Sequence, residues 1–141
     1  ALFFTGISRN ANKIERNKIR NISLNENYYN EIYKIALEAK KIFNSPNSSN
    51  FMNEISFLMN ENWKVKKLLS KNVSSKKINE IYEYGIKNGA TSGKILGAGG
   101  GGFLLFLTKN LKDKKRLIDK MKKFTYVDIK FLNEGCKSLL Y

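Results

Sequence analysis

The sequence predicts an α+β domain in which helices cover one face of a mainly antiparallel sheet. Three observations lead to this fold class: an apolar, β-prone segment at the start, amphipathic segments clustered in the first two thirds, and β-prone segments late in the chain, in hairpin-like order. With 141 residues, 42% of them hydrophobic, the chain suits a single domain (1–141) with one core.

The first half is predicted to be mostly helical. A strand at 2–5 is ended by Gly6, and a weak, polar helix follows over 8–22. Apolar residues then recur at three- and four-residue steps, which places them on one helical face. This spacing predicts three further helices, over 28–43, 51–69 and 76–88. Ser74 or Ser75 is expected to cap the third of these, and Gly89 to end it in a left-handed conformation.

The second half is predicted to hold most of the strands. A short strand at 95–96 leads into a glycine-rich loop, and 103–108 reads as an apolar strand buried on both faces. Asn110, with Asp113 three residues on, is expected to cap a helix that runs to about Lys123. The remaining predicted elements are an alternating strand at 126–131, a turn at 133–135 and a last strand at 136–141.

Composition excludes several classes of activity. The chain has no histidine, which removes imidazole-based catalysis and histidine metal sites, and its single cysteine, Cys136, cannot form an internal disulfide or a CxxC site. A reducing, cytoplasmic compartment is therefore expected. The longest apolar run, 103–107, is too short to cross a membrane, and the first residues do not resemble a signal peptide. A start at alanine rather than methionine suggests a piece of a longer protein.

The net charge of +14 raises the alternative of a non-catalytic module that binds anions or nucleic acid. The lysines are scattered along the chain rather than interleaved with aromatic residues, which favours a general compositional origin. An RNP1-like strand is also absent from the sequence, so a nucleic-acid partner is disfavoured.

Half of the ten glycines stand in the six-residue stretch 97–102. Glycine costs about 0.5–1 kcal/mol relative to alanine within regular structure, so five in one loop suggest that backbone amides approach a ligand closely. A phosphate is the usual ligand of such a loop. The spacing satisfies G-x-G-x-x-G, but a strand rather than a helix follows, which argues against a dinucleotide fold. The stretch 89–95 is only a near miss for a Walker A loop, and a flexible hairpin tip is the remaining alternative.

The stretch 93–103, GKILGAGGGGF, resembles the third motif, K-x-x-G-A-G-G-G-G, of the GHMP small-molecule kinases. The segments 4–9, 61–67, 89–90 and 133–135 further resemble the branch of that family that phosphorylates a heptose phosphate. The resemblance spans nearly the whole chain but concerns only the C-terminal half of such a kinase. It implies a ferredoxin-like, four-stranded antiparallel sheet with additional helices packed on one face.

The same resemblance implies a function. The expected activity is ATP-dependent phosphorylation of a sugar or sugar phosphate, with D-glycero-D-manno-heptose 7-phosphate, phosphorylated at its anomeric oxygen, as the expected acceptor. The family's nucleotide loop, P-x-x-x-G-L-G-S-S-A, is absent, so ATP and Mg²⁺ are expected to be bound mainly by a separate N-terminal domain, and this chain alone to be nearly inactive. Expected partners are that domain and the sugar phosphate, without a membrane and with a homodimer as one option. No catalytic residue or metal ligand is assigned to this chain. Carried over to this sequence, the phosphate- and substrate-facing positions are Lys94, Gly97, Ala98, Gly99, Gly100 and Gly101.

Other residues have two interpretations each. Arg9 follows the first strand and can pair with a sugar phosphate through its planar guanidinium, or with Glu15 in a surface salt bridge. It is included among the substrate-binding candidates. Lys66 and Lys67 can bind an anionic sugar, but the favoured interpretation is a solvated face beside a core Trp63.

Two small polar residues flank the first glycine of the chain. Thr5 and Ser8 can contact substrate, but capping of the turn that follows the first strand is favoured.

Overall fold

The sheet is formed by four strands. These are β1 (Leu2–Phe4), β2 (Ala90–Ile95), β3 (Phe103–Thr108) and β4 (Thr125–Val127). The computed structural model describes residues 1–8, 11–44, 49–130 and 135. The turn predicted at 133–135 and the last strand predicted at 136–141 fall almost wholly outside these residues.

Within the described residues, five helices accompany the sheet. They are α1 (Ala11–Arg20), α2 (Glu26–Asn44), α3 (Phe51–Leu68), α4 (Lys76–Lys87) and α5 (Leu111–Lys120). All five were predicted from the sequence, with small differences at their ends.

The strands lie in the order β2-β3-β1-β4, and every neighbouring pair is antiparallel. Helices α1–α4 connect β1 to β2, and α5 connects β3 to β4, so β3 is inserted between two strands that are linked by a helical crossover. This is the split βαβ arrangement of a ferredoxin-like sheet. The α+β fold class is thereby confirmed.

The core lies between one face of the sheet and helices α3, α4 and α5. Phe3 and Phe106 contact each other from neighbouring strands, with ring centroids 6.2 Å apart. Tyr82 of α4 stacks on Phe106 and also contacts Trp63 of α3. The fully buried side chains of this cluster also include Val73, Ile78, Ile95, Leu104, Leu117 and Met121.

The outer edge of β2 is covered by α3. Asn60 donates a hydrogen bond to the carbonyl oxygen of Thr91 at 3.2 Å, and Lys66 donates to that of Ile95 at 3.2 Å. An uncovered edge would offer these carbonyls to another chain. Helix α2 packs against α3 rather than against the sheet and has no fully buried residue, so it forms an outer layer.

The predicted helix ends are confirmed where the sequence carries capping residues. The Ser75 hydroxyl accepts a hydrogen bond from the Ile78 amide, and the Asn110 side chain accepts one from the Asp113 amide at 2.9 Å. These bonds satisfy amides that a helix start leaves without an intrahelical partner. Gly89 follows α4 with a φ of 117°, a conformation that favours glycine.

The predicted bounds of β2 were wrong. The strand begins at Ala90 rather than at Ile95, so the stretch that nearly matches a Walker A loop is largely a strand. Position 93 of this strand holds glycine because a Cβ there would come within 2.6 Å of the Phe106 ring. Most residues of this strand are small or polar, so it lacks the hydrophobic pattern from which a strand is predicted.

Two further expectations about the strands also need correction. β3 is not buried on both faces: Leu104 and Phe106 are buried, whereas Phe103 is 39% exposed. The helices lie on only one side of the sheet, so burial alternates along the strand. The last described strand covers Thr125–Val127 and is shorter than the predicted 126–131.

Candidate phosphate-binding loop

The glycine-rich loop (97–102) connects the ends of β2 and β3. The last hydrogen bond between the two strands before the loop runs from the Leu96 amide to the Phe103 carbonyl oxygen, at 2.9 Å. The loop then contacts two other segments of the chain. The Gly100 amide donates to the Val73 carbonyl oxygen at 2.7 Å, and the Gly102 amide donates to that of Ile7 at 2.9 Å.

Two glycines of the loop allow these close approaches. A Cβ on Gly99 would come within 2.8 Å of the Val73 carbonyl oxygen, and one on Gly101 within 2.4 Å of the Ile7 carbonyl oxygen. Both distances are shorter than real carbon contacts, and the obstructing atoms belong to the backbone. Packing therefore explains glycines that the sequence argument attributed to a ligand alone.

A pocket of about 250 Å³ opens beside the loop. It lies between the loop and the chain that leaves β1. Its lining comprises Phe4, Ile7, Ser8, Leu96, Ala98, Gly99, Gly101 and Gly102. The amides of Gly100 and Gly102 are bonded to the protein itself, so a phosphate in this pocket would be bound by other groups of the loop.

Thr5 fixes the β1 side of this pocket. Its hydroxyl donates to the Gly102 carbonyl oxygen at 2.9 Å and accepts a hydrogen bond from the Ile7 amide at 3.2 Å. The Thr5 amide also donates to the Gly102 carbonyl oxygen, at 2.8 Å. The predicted capping role of Thr5 is confirmed.

Lysine side chains bind the carbonyl oxygens at the start of the loop. Lys66 Nζ of α3 donates to the Gly97 carbonyl oxygen at 2.7 Å and to that of Ile95 at 3.2 Å. Lys18 Nζ of α1 donates to the Ala98 carbonyl oxygen at 2.7 Å and forms an ion pair with Glu15 at 2.9 Å. Lys66 is therefore not part of a solvated face, contrary to the favoured sequence interpretation.

Lys94 lies in β2, just before the loop, and donates a hydrogen bond to Asn62 Oδ1 of α3. Burial lowers the pKa of the Lys94 ammonium. The pKa of Lys66 is lowered to about 8, mainly by burial and further by the positive charges of Lys94 and Lys18, while Glu15 opposes the shift. Lys94 and Lys18 therefore lie close enough to Lys66 to disfavour the charged form of its ammonium group.

The structure brings most of the predicted site residues together. Gly97, Ala98, Gly99, Gly100 and Gly101 lie in the loop and Lys94 beside it. Arg9 falls outside the described residues, and Trp63 belongs to the core, where it is 1% exposed.

Sequence reasoning missed Lys18 and Asn62 as neighbours of the loop. Lys18 belongs to a weakly patterned helix, and its contact with Ala98 spans 80 residues of sequence. The only available signal was the four-residue spacing of Asn62 and Lys66, which places both on one face of α3.

The described residues contain neither a cluster of metal ligands nor a membrane-spanning helix. No group of three acidic or cysteine side chains in this part of the chain is arranged to hold a metal ion. None of the helices in the same residues is long and apolar enough to span a bilayer.

Fold, loop and motif together define a class of protein. Residues 48–127 match the family model described as GHMP kinases C terminal, which is more than half of the chain. The chain belongs to this family of kinase C-terminal domains.

Individual relatives agree with this assignment. The chain is 35% identical over 139 residues to D-glycero-alpha-D-manno-heptose 7-phosphate kinase of Campylobacter jejuni, a match that covers 97% of this chain and 40% of that protein. It therefore spans less than half the length of this relative.

Solved structures share the fold. Mevalonate kinase of L. major, in complex with R-mevalonate, superimposes with a TM-score of 0.71 at 18% identity, covering 86% of this chain and 37% of that one. Mevalonate kinase of methicillin-resistant Staphylococcus aureus gives a TM-score of 0.57 at 29% identity, covering 70% of this chain and 32% of that one.

Proposed function

We propose that this chain is the C-terminal part of an ATP-dependent kinase that phosphorylates D-glycero-D-manno-heptose 7-phosphate at the anomeric oxygen, in the cytoplasm. The product would supply nucleotide-activated heptose for surface polysaccharide. The observation that carries the proposal is the 35% identity to the heptose 7-phosphate kinase, which extends over 97% of the chain and includes the glycine-rich motif.

The geometry of the loop supports a role in phosphoryl transfer. The barrier of this reaction is lowered mainly by positioning and by donors directed at the charge of the transferring group. Backbone bonds to Val73 and Ile7 and the lysine bonds to Gly97 and Ala98 hold the loop on several sides. A loop fixed in this way needs little rearrangement when a phosphate binds in the adjoining pocket.

Other components of the reaction would come from elsewhere. Mg²⁺ prefers carboxylate oxygens and phosphate oxygens as ligands, and the described residues gather no acidic cluster at the loop. ATP and its metal ion would therefore be bound mainly by an N-terminal domain that packs against the loop. ATP would supply the transferred phosphoryl group.

A domain exchange tests the proposal. This chain would replace the matching C-terminal part of the Campylobacter jejuni kinase, and ATP consumption would be measured with heptose 7-phosphate as acceptor. We expect the chimera to be active and this chain alone to be inactive. A matched Gly100→Val chimera should lose the activity, because Gly100 has a φ of 76° that a β-branched residue does not adopt.

Each outcome has a clear meaning. A folded chimera that does not phosphorylate the sugar phosphate would contradict the proposed substrate. Full activity of the folded Gly100→Val chimera would contradict the role of the loop.

A further inference from the structure

Three partly buried lysines surround the start of the glycine-rich loop, and only one acidic side chain accompanies them. Lys18, Lys66 and Lys94 come from α1, α3 and β2. Among the residues that the structure describes, Glu15 is the only carboxylate bonded to this group, through Lys18. The cluster thus carries an excess of about two positive charges in a region partly shielded from water, which is unfavourable without an anion.

The contacts of the three lysines place their ammonium groups close together. Lys94 is bonded to Asn62, which lies one helical turn before Lys66 on the same face of α3. Lys66 and Lys18 bind the carbonyl oxygens of two consecutive loop residues, Gly97 and Ala98. Lys66 and Lys18 therefore line the start of the loop, and Lys94 lies beside Asn62, one helical turn away along α3.

These ammonium groups keep hydrogen-bond donors for a ligand. A lysine ammonium has three N–H bonds. Among partners in the described part of the chain, Lys66 and Lys18 each use two of these bonds and Lys94 uses one. Each group thus keeps at least one N–H for a further acceptor.

We propose that Lys18, Lys66 and Lys94 form a site for the phosphate monoester that the sugar acceptor already carries. A phosphate monoester has a charge of about −1.5 to −2 at neutral pH and three terminal oxygens, which match the excess charge and the remaining donors. The inference rests on the proposed function for the identity of the acceptor.

The nucleotide is the other source of a phosphate group, and the placement of the lysines favours the acceptor. The pocket of about 250 Å³ beside the loop is lined by the loop itself and by residues at and after the end of β1, and by none of the three lysines. The lysines approach from α1, α3 and β2. A kinase whose two substrates both carry phosphate needs two separate anion sites, and these two regions provide them.

Isothermal titration calorimetry of this chain with D-mannose 6-phosphate, inorganic phosphate and D-mannose tests the site. We expect the two phosphate compounds to bind and D-mannose not to bind. Lys94→Met should weaken phosphate binding by about tenfold or more, the usual effect of removing a charged hydrogen-bond donor. Lys94 does not bond the loop carbonyls, so this variant should leave the loop intact, and circular dichroism would verify that it is folded.

Lys67→Met is the matched control. Lys67 is exposed on α3 next to Lys66 and lies over the Trp63 ring, so its removal changes the net charge equally. We expect its phosphate affinity to stay within about twofold of the original, since exposed charges contribute little. Equal losses in both variants, or no loss in Lys94→Met, would overturn the proposal.

The chimera described above separates this inference from the proposed function. With Lys94→Met, the KM for heptose 7-phosphate should rise about tenfold or more while the KM for ATP stays within about twofold. An active chimera in which the KM for the sugar phosphate is unchanged, or in which only the KM for ATP rises, would refute the acceptor site alone. A chimera inactive toward the sugar phosphate would refute the proposed function, while the calorimetry would still decide whether the lysines bind phosphate.

Discussion

Replacement of Gly101 by alanine tests how the glycine-rich loop is held. The new Cβ would lie 2.4 Å from the Ile7 carbonyl oxygen, and Gly101 is not among the glycines with positive φ, so the cost arises from the clash alone. Relief of the clash must move backbone, which costs about 1–3 kcal/mol for overpacking. It would also weaken the bond from Gly102 to Ile7, worth about 1 kcal/mol. Alanine also reduces the conformational entropy of the unfolded chain, which offsets a smaller part of this cost. We therefore expect the free energy of unfolding to fall by about 2–3 kcal/mol.

Urea unfolding followed by the fluorescence of Trp63 measures this loss. Trp63 is buried in the core and is the only tryptophan in the chain. With an m-value of about 1–3 kcal/mol/M, the midpoint should fall by about 0.7–3 M.

Gly97→Ala is the control for the Gly101 variant. Gly97 has a φ of 68°, and no atom lies within 4 Å of a Cβ added there. Alanine at this position would therefore cost only the strain of a left-handed conformation, about 1–2 kcal/mol. The lower entropy of the unfolded chain again offsets part of this cost. A Gly101→Ala protein as stable as Gly97→Ala would refute the packing explanation of the loop.

Other consequences of the structure can be measured in the same way. Phe106→Ala should destabilise the chain by about 3–5 kcal/mol in urea unfolding, because this ring is fully buried and contacts Phe3 and Tyr82. Asn110→Ala should cost about 0.5–2 kcal/mol by the same measurement, since the cap of α5 is lost. The pKa of Lys66 is about 8 in the folded chain and 10.5 ordinarily, so the unfolded chain binds more protons between these values and the free energy of unfolding should rise with pH in that window. Lys66→Met should show a smaller rise, because Lys94, whose pKa burial also lowers, still contributes, and an unchanged pH profile in that variant would contradict the assigned pKa. A dedicated nucleic-acid module would lose a factor of about 10³–10⁵ in affinity between 50 and 200 mM salt. We expect no such loss in a salt titration of this chain with nucleic acid.

The sequence was informative where a local pattern determines the structure. The helix spacing, the caps at Ser75 and Asn110, and the left-handed Gly89 depend on residues within a few positions of one another. Each of these predictions is confirmed. The fold class followed from the order of such elements, and the ferredoxin-like topology from the resemblance of the glycine motif.

The sequence was uninformative where long-range contacts decide. β2 contains glycine, serine and threonine because α3 covers its edge and Phe106 fills the space above Gly93, and neither neighbour can be identified from the strand itself. The position of Lys66 was misjudged for a related reason. Its neighbours on α3 include exposed lysines, and only the folded loop supplies carbonyl acceptors that draw its ammonium inward.

The loop contacts connect these observations. The glycines at 99 and 101 let the loop lie directly against the backbone at Val73 and Ile7, which fixes its path from two sides. This close packing turns the carbonyls of Gly97 and Ala98 toward Lys66 and Lys18, whose charges then accumulate beside Lys94. A flexible hairpin tip would not hold lysines at such an electrostatic cost. The proposed phosphate site would offset this cost, and the comparison of the Lys94→Met and Lys67→Met variants tests it directly.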